Sequence, residues 1–173
     1  LAKKLNVTSA DSKKVLLIGI ASLATDYRLL YFIDNLLGFS FIKRNDLPLY
    51  GKKDKLGDFS FYEYLCTEKH LHYFLIANKS ENQIAIPAYR NFDYFLLIEG
   101  SLTADAFQNM LRRLRSVALI QAAMNIPTSS VKDLDLLLED LELHLIALQK
   151  SARDKRSLWP DILYQQSHEK ENF

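Results

Sequence analysis

Cys66, His70 and His72 stand at C-x3-H-x-H spacing, and thiolate and imidazole are the ligands zinc prefers. A closed zinc site takes three or four ligands. The chain has one cysteine, and His144 and His168 lie far along the sequence. The trio therefore reads as a turn histidine and a strand histidine beside a cysteine, with no metal and no other cofactor implied. The segment "GKKDKLGD", Gly51 to Asp58, sets lysines beside glycine amides, as a phosphate cradle would. It lacks the G-x4-G-K-[ST] spacing and no helix follows it, so it reads as an exposed loop. The chain contains no G-x-G-x-x-G, G-x-S-x-G or H-E-x-x-H. Dinucleotide, serine hydrolase and zincin chemistry thus have no local support.

Two further groups carry possible chemistry. Asp26-Tyr27-Arg28 and Asp93-Tyr94 each place an aspartate at an element boundary, where a carboxylate accepts backbone N–H bonds. A structural role suits both. The ligand-binding alternative is a pocket lined by Tyr27, Arg28, Asp93 and Tyr94, with Arg28 holding an anion. Arg112, Arg113 and Arg115 share one helical segment, and aromatic strands precede them, a combination that can bind RNA by stacking and charge. The formal net charge of +1 and the even spread of both signs argue against that use and supply no field toward an acidic membrane.

The elements that must position these residues follow from periodicity. "VLLIGIAS" is a short apolar run that predicts a buried strand. Leu29, Leu30, Ile33, Leu36 and Leu37 recur at helical spacing, so Thr25 to Leu37 is a helix, with Thr25 or Ser22 as cap and Gly38 as its left-handed stop. "FSFIKR" predicts a second strand. "FSFYEYLC" and "LHYFLIAN" form a hairpin around Thr67 to His70. "QIAIP" is a short strand stopped by Pro87, and "YFLLIE", Tyr94 to Glu99, is another buried strand.

The rest reads as helical. Phe107, Met110, Leu111, Leu114, Val117, Ala118 and Gln121 follow one track that Pro127 ends. Ser129 or Ser130 caps the last helix, where Val131, Leu134, Leu138, Leu141, Leu145 and Leu148 alternate steps of three and four. Leu136, Leu143 and Ala147 fall about 140° from that seam, because each residue turns about 100°. One helix face then covers the sheet, and the second is a candidate interface for a homodimer.

A chain of 173 residues with 49% apolar and 25% charged side chains supports one domain with a proper core. A lone cysteine suits a reducing compartment, and no apolar run near the N-terminus is long enough to cross a bilayer. A cytoplasmic protein without membrane contact is expected. The expected organisation is a flexible segment over 1–14, a single α+β domain over 15–150 and a charged tail over 151–173. The fold class is α+β, with a mainly antiparallel or mixed sheet of five to six strands and three helices. A two-layer sandwich with the helices on one face, of ferredoxin-like type, is the expected architecture. Within it, the first strand, helix and second strand would form one parallel crossover.

"IPAYRNFDY" resembles the signature of the IPExxxVDY family of Bacteroidetes-type bacterial proteins. Ile86, Pro87, Asp93 and Tyr94 match at the family's spacing, while Ala88 replaces Glu and Phe92 replaces Val. "LLIGIASLATDYRL", "YFLIANKSEN" and "DYFLLIEG" are similar to other stretches of that family, over about residues 15–125. The resemblance implies a bacterial protein of unknown function, and Ala88 weighs against a general acid or base at that position. The expected function is accordingly a non-enzymatic protein-interaction or adaptor domain, homodimeric through 130–149 or bound to a cytoplasmic protein partner. The alternatives are a small-molecule or anion-binding regulatory domain and an RNA-associated protein.

Overall fold

The computed structural model describes residues 14–168 except 52, 53 and 82, with side chains described as far as residue 153. The chain is an α+β domain built on one six-stranded antiparallel sheet. Strand β1 is Val15–Ala21, and helix α1 is Asp26–Leu37. Strands β2 (Ile42–Lys43), β3 (Leu47–Tyr50), β4 (Lys55–Phe59), β5 (Phe61–Cys66) and β6 (Leu71–Ala77) follow. Then come β7 (Lys79–Ser80), β8 (Gln83–Ile84), a 3-10 turn Pro87–Tyr89 and β9 (Tyr94–Glu99). Helix α2 (Ala104–Arg115), strand β10 (Ala122–Ile126), a 3-10 turn Thr128–Ser130 and helix α3 (Leu134–His168) complete the order.

The sheet order is β10-β1-β9-β6-β5-β2, and every neighbouring pair is antiparallel. β1 and β2 consequently run parallel, but three strands separate them. The expected ferredoxin-like crossover is therefore not built. α1 instead carries the chain across the sheet, and β2 to β9 return as a meander.

Both faces of the sheet are covered, so the helices are not confined to one side. Ile18, Ile20, Tyr73, Leu75, Leu96 and Ile98 pack on α1 and α2. Leu17, Phe74, Ile76, Phe95 and Leu97 alternate with them and pack on α3 and the β3–β4 hairpin. Two-sided burial is the reason the central strands read as continuous apolar runs rather than alternating ones.

Local chemistry sets the helix ends. Gly38 adopts φ 71°, and its N–H bonds the Asp34 carbonyl at 2.8 Å, the left-handed stop expected of it. Thr25 has extended backbone but its side chain makes no cap bond. Asp26 Oδ1 accepts the Tyr27 N–H at 2.8 Å, which suits the positive end of the helix.

Three expectations are corrected. "GKKDKLGD" is not wholly an exposed loop: Lys55 to Asp58 belong to strand β4, which pairs with β3, where Leu47 and Leu49 are buried. "FSFIKR" pairs only over Ile42–Lys43. The helical track to Pro127 ends at Arg115, and Ala122–Ile126 pairs with β1 as an edge strand. α3 runs on through Ser151 to His168, within the segment read as a charged tail. Residues 1–13 lie outside the described residues.

Candidate functional site

Asn78 organises the segment that contains Ile86, Pro87, Asp93 and Tyr94. It follows the last residue of β6 and is fully buried. Its Nδ2 donates to the carbonyls of Tyr89 (3.1 Å) and Phe92 (2.9 Å), and its Oδ1 accepts the Ile86 N–H at 2.9 Å. Its backbone N–H bonds the Asp93 carbonyl, and its carbonyl accepts the Ala85 N–H. One side chain thus satisfies three backbone groups of an excursion that forms no sheet ladder of its own. Phe92 lies over Gly19 of β1, where an added Cβ would meet its ring at 2.7 Å.

Asp93 and Tyr94 lock this excursion to the start of α1. Asp93 Oδ2 accepts the Ser22 N–H at 2.8 Å, and Oδ1 pairs with Lys79 at 2.7 Å. The Tyr94 hydroxyl donates to the Ala24 carbonyl at 2.8 Å. Burial first, then the nearby Asp26 and Asp93 charges, push the Tyr94 phenol up to about 12. Asp26 is the second anchor. Its Oδ2 accepts from Ser60 Oγ at 2.5 Å, and Ser60 Oγ accepts from Lys43 Nζ at 2.7 Å. Burial raises the Asp26 carboxyl, but hydrogen bonds from Ser60, Tyr62 and the Tyr27 N–H, with the Lys43 charge, outweigh it and hold the group below its ordinary value.

The expected four-residue pocket is therefore divided. Asp93 and Tyr94 meet the N-terminal end of α1, whereas Tyr27 and Arg28 are exposed on its outer side. Lys79, not Arg28, neutralises Asp93. Leu23, Tyr27 and Tyr31 form a stripe with exposures of 85%, 69% and 67%. Its i, i+4, i+8 spacing was available in the sequence.

The cysteine and histidines separate as well. Cys66 packs toward α1 and α2. His72 lies on the opposite face, where Nε2 meets Glu63 Oε1 at 2.7 Å and the ring tilts over Phe74. His70 occupies the hairpin turn at φ 51°. Glu63 also pairs with Arg44 at 2.7 Å. The His72 hydrogen bond, opposed by burial and aided by Arg44, holds Glu63 below its usual range. Among the described residues no three His, Cys, Asp or Glu side chains converge on a metal-sized site. Two of the arginines serve as backbone caps: Arg113 donates to the Leu36 carbonyl, and Arg115 Nε to the Ala123 carbonyl at 2.8 Å.

A small cleft of about 180 Å³ opens between the β3–β4 hairpin and the start of α3. Ile86 and Pro87 form part of its wall beside Leu49, Leu56 and Leu137. Leu136 also lines it, so this member of the expected interface faces the hairpin. Asp140 closes one side by accepting the Tyr50 N–H at 2.8 Å, and burial raises its carboxyl. Further along α3, Leu134, Leu137 and Leu141 are buried, while Leu143 is 59% and Ile146 42% exposed, with Ala147 beside them.

No helix among the described residues is long and apolar enough to cross a membrane. Comparison with protein-family models, with curated proteins and with solved structures finds no match to the chain.

Proposed function

We propose that this chain is a protein-interaction domain, an adaptor that acts through docking rather than through chemistry of its own. The observation that carries this reading is α3. Its inner side covers a sheet face with Leu134, Leu137 and Leu141, and its outer side still presents Leu143, Ile146 and Ala147. Apolar residues in a row on an outward helix face suit a partner with an apolar groove or a second amphipathic helix. Leu136 turns into the cleft, which narrows the outward strip. A narrow strip suits a partner protein better than the two-fold α3 pairing expected from the sequence. Membership of the IPExxxVDY family and a cytoplasmic setting belong to the same proposal. The first is supported by Ile86, Pro87, Asp93 and Tyr94, the second by the lone Cys66.

The test is affinity purification from the native cell at two salt concentrations, with wild type, Leu143→Glu and the neighbouring control Glu142→Gln. The expected result is one defined protein, retained by the control and lost with Leu143→Glu. An unchanged set of recovered proteins in Leu143→Glu would remove α3 from the proposal. Recovery only of nuclease-sensitive material that high salt disperses would turn the reading to RNA.

A further inference from the structure

We propose that the cleft between the start of β1, the end of β10 and the start of α2 is a binding site for a small N-acylated apolar amino acid, a ligand that joins one amide, one carboxylate and one apolar side chain.

The cleft holds about 560 Å³, within the range of small-molecule sites. It opens on the sheet face that carries α2, so it is separate from the α3 strip. Its floor is apolar. Phe107 of α2 is buried there, and Leu16 and Leu102 border the same core. A ligand side chain laid on this floor leaves water.

The amide follows from strand register. The Ile20 carbonyl accepts the Asp93 N–H, so even-numbered residues of β1 turn their backbone groups toward β9. The Lys14 carbonyl, which accepts the Gly100 N–H, agrees. Leu17, Gly19 and Ala21 turn the other way, toward Ile126, Met124 and Ala122 of β10. Val15 is next in that series, and the register places Thr128 opposite it. β10 has ended by then: Pro127 interrupts it, and Thr128 opens the 3-10 turn. The Val15 N–H and carbonyl therefore face the cleft with no partner among the described residues. The Val15 side chain packs on the opposite face of the sheet, so its backbone is what it gives to the cleft.

One acylated amino acid matches this pair as an antiparallel neighbour would. Its N–H donates to the Val15 carbonyl, and its carboxylate accepts the Val15 N–H. That end of Val15 adjoins Lys14, the one charged side chain of the lining among the described residues, which neutralises the carboxylate. Asp105, in the first turn of α2, is not part of the lining. The acyl carbonyl then lies toward Asn125 and Thr128, whose side chains make no hydrogen bond among the described residues. Ile126 fills the ladder against Leu17, so a longer peptide finds no strand to extend along.

The test is titration of the full chain with N-acetyl-leucine, followed through the backbone amide signals of Val15, Leu16 and Asn125 by nuclear magnetic resonance. Saturable shifts at millimolar concentration or below are expected. N-acetyl-leucine amide lacks the charge and hexanoate lacks the amide, and each should bind about tenfold more weakly. Lys14→Glu should weaken N-acetyl-leucine by about the same factor. Gln108→Trp fills the cleft from an exposed position of α2 and should abolish the shifts, with circular dichroism unchanged. A wild type without shifts at these residues would overturn the proposal. So would equal binding of hexanoate or of the leucine amide, or an unchanged affinity in Lys14→Glu. Tighter binding of N-acetyl-Ala-Ala-Leu would also overturn it, and would assign the cleft to peptide C-termini.

Discussion

At the scale of single residues, the most consequential side chain is Asn78. Read locally, it is the first polar residue after an apolar strand, a common turn position. Its role depends on the carbonyls of Tyr89 and Phe92, which only the folded chain brings to it. Asn78→Ala should lower unfolding free energy by about 2–4 kcal/mol, since the buried Ile86 N–H and two carbonyls lose their partner. Urea denaturation measures this, and a loss below about 0.5 kcal/mol would mean that other groups hold the excursion. Gly19 is the second case. Gly19→Ala drives a Cβ into the Phe92 ring, and overpacking of this kind costs about 1–3 kcal/mol. The same contact explains how Phe92 is accommodated where the resembled signature has valine. Ala88 is exposed, so its departure from the resembled signature leaves the core untouched.

At the scale of elements, α3 shows most directly what periodicity can and cannot say. Its apolar stripe was legible at Leu134 and Leu141, which are buried, while Val131, read as its first member, is buried just ahead of the helix. Which of the two adjacent leucines is buried, Leu137, and which stays partly exposed, Leu136, was not legible, because both are leucine. Leu141→Ala should destabilise by about 2–5 kcal/mol, whereas Leu143→Ala should stay within about 0.5 kcal/mol. Thermal unfolding of the pair checks the assignment of faces, and equal losses would place Leu143 inside. The β3–β4 hairpin was misread because proline, glycine and lysine mark loops. Here Pro48 sits on an edge facing away from its partner strand, the one place in a ladder where a missing N–H is harmless.

At the scale of the whole molecule, the structure has three layers, and several tyrosines lie in or beside its core. Tyr73 and Tyr94 have phenols pushed up to about 12, mainly by burial. The sign follows from linkage. A folded value above the unfolded value near 10 means that the unfolded chain releases these protons first. Their contribution is complete below pH 10 and is lost as pH rises from 10 toward 12. The urea midpoint should therefore fall steadily across that window, and phenolate absorbance should lag behind that of free tyrosine. Tyr73→Phe should flatten the fall, and an unchanged slope would show that this phenol does not drive it. The sheet edge is the other whole-molecule property, because β10 becomes an edge only through the order of all six strands.

By itself the sequence determined the dense strands Val15–Ala21, Leu71–Ala77 and Tyr94–Glu99, the hairpin turn before Leu71 and the start and stop of α1. Those features depend on periodicity and on residues a few positions apart, which are written locally. The expectation of helices on one face did not hold, because strands this continuous in apolar residues need cover on both faces. The tertiary structure alone decided that Ala122–Ile126 is a strand. Two alanines, a methionine and an asparagine carry little strand preference, and the outward backbone groups of β1 supplied the partner. It also decided which polar groups meet, pairing Asp93 with Lys79 and Asp26 with Ser60 across 14 and 34 residues of chain. Hydrogen bonds of that reach depend on where the backbone returns, and no local pattern encodes it.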